Sequence, residues 1–330
     1  MIPHGGDLSR LRQRFPDAPE PLIDLSTGIN PYSYPVPAIP ETAYTRLPEQ
    51  VQIRQLKESA AAAYGASEPD TIAAAPGTQL LISILPRILP AAQVAILSPT
   101  YGEHAAVWSA AGAAVLEGAG PEVLESGEVA VLCNPNNPDG RALAPREIEA
   151  LQTRRLRRGG RLIVDEAFAE FGEAHLSAVP AVPQPGLIVL RSFGKAFGLA
   201  GVRLGFLVAE RGIVRRVEEA LGPWPVSGIA IHLACTALRD TAWRQATTER
   251  LAQTGERLAS LLSAHGLEPV GGTSLFRLVR HDTAPAIAGT LGRAGILVRE
   301  FPERPDWLRF GLPPDEAAWT RLENALAAAR

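Results

Sequence analysis

The chain has 330 residues, is 46% hydrophobic and carries a formal net charge of −3, which gives room for a full core in two domains or in one large domain with an appendage. That charge balance gives no sign of a nucleic-acid or polyanion surface. Cys133 and Cys235 lie far apart without metal-ligand spacing, "MIPHGGDLSRLRQRF" lacks an apolar signal core and no run reaches membrane-spanning length, so the expectation is a soluble, cytoplasmic protein without disulfides or a metal.

Before residue 45 the chain is rich in proline and poor in periodicity. From about residue 70 to 210, short apolar runs alternate with helical stretches. The runs are "TIAAAPG", "QVAILSPTY", "AAVLEG", "VAVLCNPNNP", "RLIVDEAF", "LIVLRSFG" and "RLGFLVAE". Each is too short for a helix core and most end in turn residues, the pattern of buried strands in an α/β sheet. "GTQLLISILPRIL", "YGEHAAVWSAAG" and "PREIEALQTRRLRRGG" supply helices between them. Past about residue 225 one long helix is expected from Ser227 to Gly266. Strands "SLFRLVR", "ILVRE" and "WLRFGL" and a closing helix follow, a separate α+β part.

In an open α/β sheet, ligands bind outside the carboxyl ends of the strands. Asp165 ends "RLIV", and Asn134, Asn136 and Asn137 follow "VAVLC". Ser192 and Lys195 follow "LIVLR", Tyr101 follows "AILSPT", and Gly77-Thr78 stand directly before an apolar helix. Lys195 is one of only two lysines in a chain that otherwise uses arginine. Its neighbours Gly194, Ala196, Phe197 and Gly198 make no solvent face, whereas Lys57 sits on an amphipathic helix. Lysine, unlike arginine, has a nitrogen that can lose its proton and attack a carbonyl.

Pyridoxal phosphate asks for this set. Its aldehyde needs a lysine, its pyridine nitrogen a carboxylate, and its phosphate needs amides at a helix N-terminus with hydroxyls and an arginine. Gly77, Thr78, Ser192 and Arg203 suit the last of these. Each residue alone also has an ordinary reading: Asp165 as a helix cap, the asparagines as turn formers, Tyr101 as core. Their convergence on one sheet edge favours the cofactor.

"CNPNNPDG", "LIVDEAFAEF" and "SFGKAFGLAGVRLGF" closely resemble the fold-type-I aminotransferase-like enzymes, in the branch that holds histidinol-phosphate aminotransferases and threonine-phosphate decarboxylases. The resemblance covers essentially the whole chain. It implies a large domain at 46–225 with a mostly parallel central sheet flanked by helices, and a small α+β domain formed by both chain ends, 1–45 and 226–330. It implies Lys195 as the Schiff-base lysine, Asp165 as partner of the pyridine nitrogen, Tyr101 stacked on the ring and Asn137 on the ring hydroxyl and substrate. Gly77, Thr78, Ser192 and Arg203 would hold the phosphate. A homodimer with its site at the subunit interface is implied as well.

"HGGD" at His4 to Asp7, followed by "DLSTGINP" at Asp24 to Pro31, looks like the decarboxylases of this branch. That likeness implies decarboxylation of L-threonine O-3-phosphate, with His4, Gly5 and Gly6 as an arm closing on the substrate phosphate and Asn30 as a further contact. Arg299 and Arg309 suit a substrate that carries both carboxylate and phosphate; as lone arginines they would read as surface charges. Phe168 stands near the ring where many aminotransferases have a tyrosine, in agreement with the decarboxylases. Leu47 stands where many relatives have a tyrosine reaching the partner's cofactor phosphate, with Tyr44 close by. Two other readings stay open: a histidinol-phosphate aminotransferase, and a non-catalytic cofactor-binding module, although no basic helix-turn-helix stretch is present.

Overall fold

The computed structural model describes residues 4–171, 176–182 and 184–329. Its contacts divide the chain into a larger unit, residues 33–137 with 142–245, and a smaller one, residues 1–32 with 138–141 and 246–330. The elements begin with α1 (Leu8–Arg14), β1 (Ile23–Leu25), α2 (Thr42–Thr45), α3 (Gln50–Tyr64), β2 (Ile72–Ala75), α4 (Thr78–Ile88), β3 (Gln93–Leu97), α5 (Glu103–Ala110) and β4 (Ala114–Gly118). Next come β5 (Val129–Cys133), α6 (Pro145–Leu156), β6 (Arg161–Asp165), β7 (Leu187–Ser192), α7 (Phe193–Ala196), β8 (Gly205–Val208), α8 (Arg211–Leu221) and α9 (Gly228–Arg239). The chain ends with α10 (Thr241–Ala264), β9 (Pro269–Thr273), β10 (Phe276–Arg280), α11 (Ala284–Arg293), β11 (Ile296–Glu300), β12 (Trp307–Gly311) and α12 (Glu316–Ala328). Among the described residues no helix is long and apolar enough to cross a membrane.

Each of the seven apolar runs becomes a strand of the larger unit, in the order β2-β8-β7-β6-β5-β3-β4. The strands β3 to β7 run parallel, and β8 runs antiparallel to both β7 and β2. The sheet is therefore mostly parallel, as expected. Every position of β2, β5 and β8 is buried, the mark of strands covered on both faces. Leu81, Ile82, Leu85 and Ile88 form the apolar stripe of α4 and join Val94, Ile96, Val131 and Ile163 in the core. Each such side chain contributes about 1.5–3 kcal/mol on burial.

The smaller unit carries a five-stranded sheet, β1-β11-β12-β10-β9, antiparallel except that β1 runs parallel to β11. Two of its strands lie beyond the sequence reading. β1 is only three residues long, and β9 reads P-V-G-G-T, whose two glycines hide its strand character.

The expected single helix from Ser227 to Gly266 is two helices. Asp240 leaves the helical conformation with φ −80° and ψ 81°, and its Oδ1 accepts the Trp243 N–H at 2.9 Å to start α10. The Tyr34 hydroxyl donates to its other oxygen at 3.1 Å. An acidic residue inside an otherwise periodic stretch became a cap.

Behind the sheet edge the larger unit buries an ion network. Glu166 accepts from Arg191 Nη1 at 2.7 Å, Ser177 Oγ at 2.7 Å and the Ala178 N–H at 2.6 Å. Glu170 accepts from Arg191 Nη2 at 2.6 Å and from Arg244 Nη2 at 2.8 Å. Burial pushes the Glu166 carboxyl up, and Arg191 with the two other donors pulls against it. A buried pair that loses one partner strands the other charge. Arg191→Leu is therefore expected to cost about 3–5 kcal/mol, read as a lower urea midpoint at constant slope. Arg191→Lys should fall between the two, because it keeps the charge and loses the fork.

Candidate active site

Strand register gathers the candidate residues of the larger unit at one edge. Cys133 at the end of β5 lies opposite Asp165 at the end of β6, and β6 and β7 continue in parallel register toward Ser192. Because β8 is reversed, its first residue Gly205 pairs with Ser192 and also with Ala75, the last residue of β2. Gly77, Tyr101, Asn137, Asp165, Lys195 and Arg203 thus all leave or enter the sheet at the same end.

Asp165 is buried at this edge and is held by a residue the sequence reading passed over. His104 Nε2 lies 3.0 Å from Asp165 Oδ2, with the histidine 1% exposed, while Asp165 Oδ1 accepts the Ala167 N–H at 3.0 Å. Burial raises the Asp165 carboxyl, but the bond and charge of His104, the charge of Lys195 and the Ala167 amide outweigh it, so the group sits below its ordinary range. Burial likewise opposes charge on His104. Cys133 and the Asp165 hydrogen bond overcome it, and the imidazole is pushed up to about 10. His104, Cys133 and Asp165 each bring one potential ligand atom within 4.8 Å of the others. All three are buried, and Cys133 and Asp165 are the groups that favour a proton on His104.

Tyr101 precedes α5 by two residues and stands edge-on to His104, with centroids 6.0 Å apart. Its hydroxyl donates to Gln79 Oε1 at 2.9 Å, and Gln79 Nε2 in turn donates to Glu103 at 3.1 Å. The first turn of α4 therefore orients the ring that was expected to stack on a cofactor. Phe168 lies 5.3 Å from Lys195 Nζ, ring centroid to nitrogen, and presents no hydroxyl. Lys195 rides on the short helix α7, which aromatic packing holds in place. Phe193 stacks on Phe197 at 4.5 Å, and Phe197 stacks on Trp243 at 5.5 Å.

The other end of the edge is shaped for an anion. Gly77 has φ +86°, and a Cβ there would sit 2.7 Å from Arg203 Nη2, so only glycine brings this backbone under the guanidinium. Arg203 itself takes the left-handed conformation, φ 55°, uncommon outside glycine. Thr78 opens α4, an eleven-residue helix whose first N–H groups have no partner within the helix. Ser192 precedes α7 at the same edge.

The remaining candidates lie in the smaller unit. Arg299 and Arg309 face each other in the β11–β12 register. Arg309 is buried; burial first, then Arg299, push its guanidinium down to about 9, with Asp24 opposing. Gly6 donates its N–H to Ser26 Oγ at 2.8 Å, which places His4, Gly5 and Gly6 beside the end of β1. Asn30 is buried and accepts the Tyr32 N–H at 2.8 Å.

His104 supplies a direct test of the cluster. Its folded pKa lies above the unfolded value of about 6.5, so the stabilisation from its proton is fully present below that pH and is lost as pH climbs toward about 10. Nitrogen-resolved imidazole spectra should show His104 charged at pH 8. In Asp165→Asn it should lose its proton at a lower pH than in the wild type, because the bond and charge of Asp165 are gone and Cys133 alone opposes burial. A neutral His104 at pH 7 in the wild type would contradict this account.

The sequence model of the family "Aminotransferase class I and II" matches residues 20–326. The threonine-phosphate decarboxylase of Pseudomonas aeruginosa is 45% identical over 99% of this chain and 97% of its own length. That of a Sinorhizobium species is 44% identical over 99% and 98%. Among solved structures, the histidinol-phosphate aminotransferase from Sinorhizobium meliloti in complex with pyridoxal-5'-phosphate superposes with a TM-score of 0.84 at 20% identity, over 99% of this chain and 95% of that one. At that identity the likeness speaks for the fold alone. The match along nearly the whole chain, with full-length relatives, makes this chain a member of the aminotransferase class I and II family.

Proposed function

We propose that this protein is a pyridoxal-phosphate-dependent carbon–carbon lyase that removes the carboxylate of L-threonine O-3-phosphate, leaving (R)-1-amino-2-propanol phosphate for cobalamin synthesis. The observation that carries the reading is the 44–45% identity to two threonine-phosphate decarboxylases over 99% of the chain. The donor set of the larger unit fits the cofactor. Gly77 leaves room under Arg203 that a Cβ would fill, α4 turns its N-terminus to the same edge, and Asp165 is held ionised. Gly77, Thr78, Ser192 and Arg203 take the phosphate, Asp165 takes the ring nitrogen, Asn137 the ring oxygen and Tyr101 a ring face.

Bound pyridoxal phosphate supplies an aldehyde for an amine and a ring that accepts the electron pair of a bond broken at the substrate α-carbon. Asp165, charged and backed by protonated His104, keeps a proton on the ring nitrogen. Lys195 would hold the aldehyde when no substrate is bound, and its amine, once free, would be the group able to donate a proton to the substrate α-carbon. The choice between losing carbon dioxide and losing a proton belongs to the residues that anchor the substrate's other groups. We assign these as Arg299 and Arg309, with His4, Gly5, Gly6, Asn30 and Asn137.

We also propose a homodimer. Tyr44 is 62%, Leu47 63% and Val51 55% exposed along α2 and the start of α3, an apolar stretch that a second copy would cover. Leu47 has no hydroxyl to offer a partner's phosphate, and Tyr44 is the phenol nearest to it in sequence.

Purified protein should be yellow, and borohydride should fix a pyridoxyl group on Lys195 and not on Lys57, which is paired with Glu218 at 2.9 Å. Lys195→Arg should abolish turnover, since the charge stays and the nucleophile goes. With L-threonine O-3-phosphate the enzyme should release carbon dioxide without any 2-oxo acid. Plain threonine should react far more slowly in both kcat and KM, because binding energy from the phosphate holds the carboxylate in the breaking position. Arg309→Ala should lower kcat/KM for the phosphorylated substrate about a hundredfold and leave cofactor content unchanged. Brisk turnover of histidinol phosphate with 2-oxoglutarate, and no carbon dioxide from threonine phosphate, would replace this reading with the aminotransferase one.

A further inference from the structure

Every polar atom of Ser26 is engaged. Its N–H and hydroxyl both donate to Asp24 Oδ1, at 2.8 and 2.6 Å. Its Oγ accepts the Gly6 N–H at 2.8 Å, and its carbonyl accepts from Arg309 Nη2 at 2.8 Å. The residue is 1% exposed. Gly5 presses on the same point: a Cβ there would lie 2.6 Å from Ser26 O and 2.7 Å from Ser26 Oγ. The glycine pair of the arm and the guanidinium of β12 thus hold opposite ends of one small side chain and its peptide.

The surroundings make that grip consequential. The Arg309 guanidinium is packed over Phe276, its Cζ 4.7 Å from the ring centroid, so one of its faces lies against an aromatic ring. The Ser26 carbonyl holds one arm of the fork. Ser26 also pins Asp24, the carboxylate whose charge favours the protonated form of Arg309.

We propose that Ser26 is a positioning residue that joins the N-terminal arm to Arg309. Its hydroxyl clamps Gly5 and Gly6, its carbonyl sets the guanidinium, and docking of the arm and alignment of Arg309 are one event. Ser26 touches no reacting atom. The inference rests on the assignment of Arg309 to the substrate's anionic groups.

Three variants of the full-length holoenzyme test it. Ser26→Ala removes the Gly6 acceptor and one bond to Asp24. Ser26→Thr keeps the hydroxyl. Gly5→Ala drives the arm off Ser26 O without altering Ser26. Amide hydrogen exchange over residues 4–11, measured without substrate, should be about tenfold faster at Gly6 in Ser26→Ala and Gly5→Ala, since the bond that slows it is gone. KM for L-threonine O-3-phosphate should rise about tenfold in both, with the urea midpoint of Gly5→Ala and the cofactor content of both near wild type. Ser26→Thr should restore exchange protection and KM, at least in part. Wild-type exchange and KM in both Ser26→Ala and Gly5→Ala would overturn the proposal. So would a fall in stability with no change in KM, which would make Ser26 merely structural. Should the wild type release no carbon dioxide, the decarboxylase reading fails, and exchange at Gly6 still judges the clamp.

Discussion

A carboxylate placed at the end of a strand that is buried on both faces must be answered by other charges or be protonated. Asp165 is answered three times over, by His104, by Lys195 and by the Ala167 amide. Much of the larger unit can be understood as the means of bringing those partners together. Parallel pairing of β5 and β6 sets Cys133 opposite Asp165, and α5 brings His104 back to the same point from 61 residues earlier in the chain. The aromatic stack of Phe193, Phe197 and Trp243 then fixes the helix that carries Lys195. Asp165 stays ionised because its surroundings are charged and hydrogen-bonded, and it stays dry because they are packed.

The anion end of the edge depends on a different economy, in which side chains are removed instead of added. Gly205 begins β8 where a Cβ would come within 2.5 Å of the Thr78 nitrogen, and Gly77 sits beneath Arg203 on the same terms. Close approach of three backbone segments leaves amides and a guanidinium facing one space. The left-handed Arg203 is the cost of that geometry, a strained residue held by its neighbours. A phosphate there would meet preorganised donors and would have no loop to reorder.

Much of this was readable before the fold was known, for a simple reason. In a mostly parallel sheet the residues that follow each apolar run land on one edge, so Asp165, Asn137, Ser192, Lys195 and Tyr101 could be gathered from their places in the sequence. His104 could not. In "YGEHAAVWSAAG" it reads as a histidine among apolar helix residues, and only the packing of α5 against the β6 end gives it a partner. Its one available signal was position, a single turn after Tyr101 in a stretch otherwise without charge except Glu103. Asp240 shows the opposite failure: local periodicity ran through it, and a side-chain cap broke the helix where hydrophobic pattern alone gave no warning. Ser26 was equally silent, because a serine in a loop is informative only through the four bonds that the fold gives it.

The proposed assignment of Arg309 to the substrate has a consequence for selectivity. A guanidinium that is buried beside a second arginine is desolvated at a cost, and the charge of Asp24 opposes that cost. Burial and the charge of Arg299 both work against the proton of Arg309. An anionic substrate group placed against it, as proposed, would gain more there than from an exposed, hydrated arginine, where water already does that work. A neutral analogue gains nothing and still has to be accommodated beside two positive charges. On the proposed assignment, the same burial that makes β12 an unfavourable place for an arginine would let Arg309 discriminate for a doubly anionic amino acid.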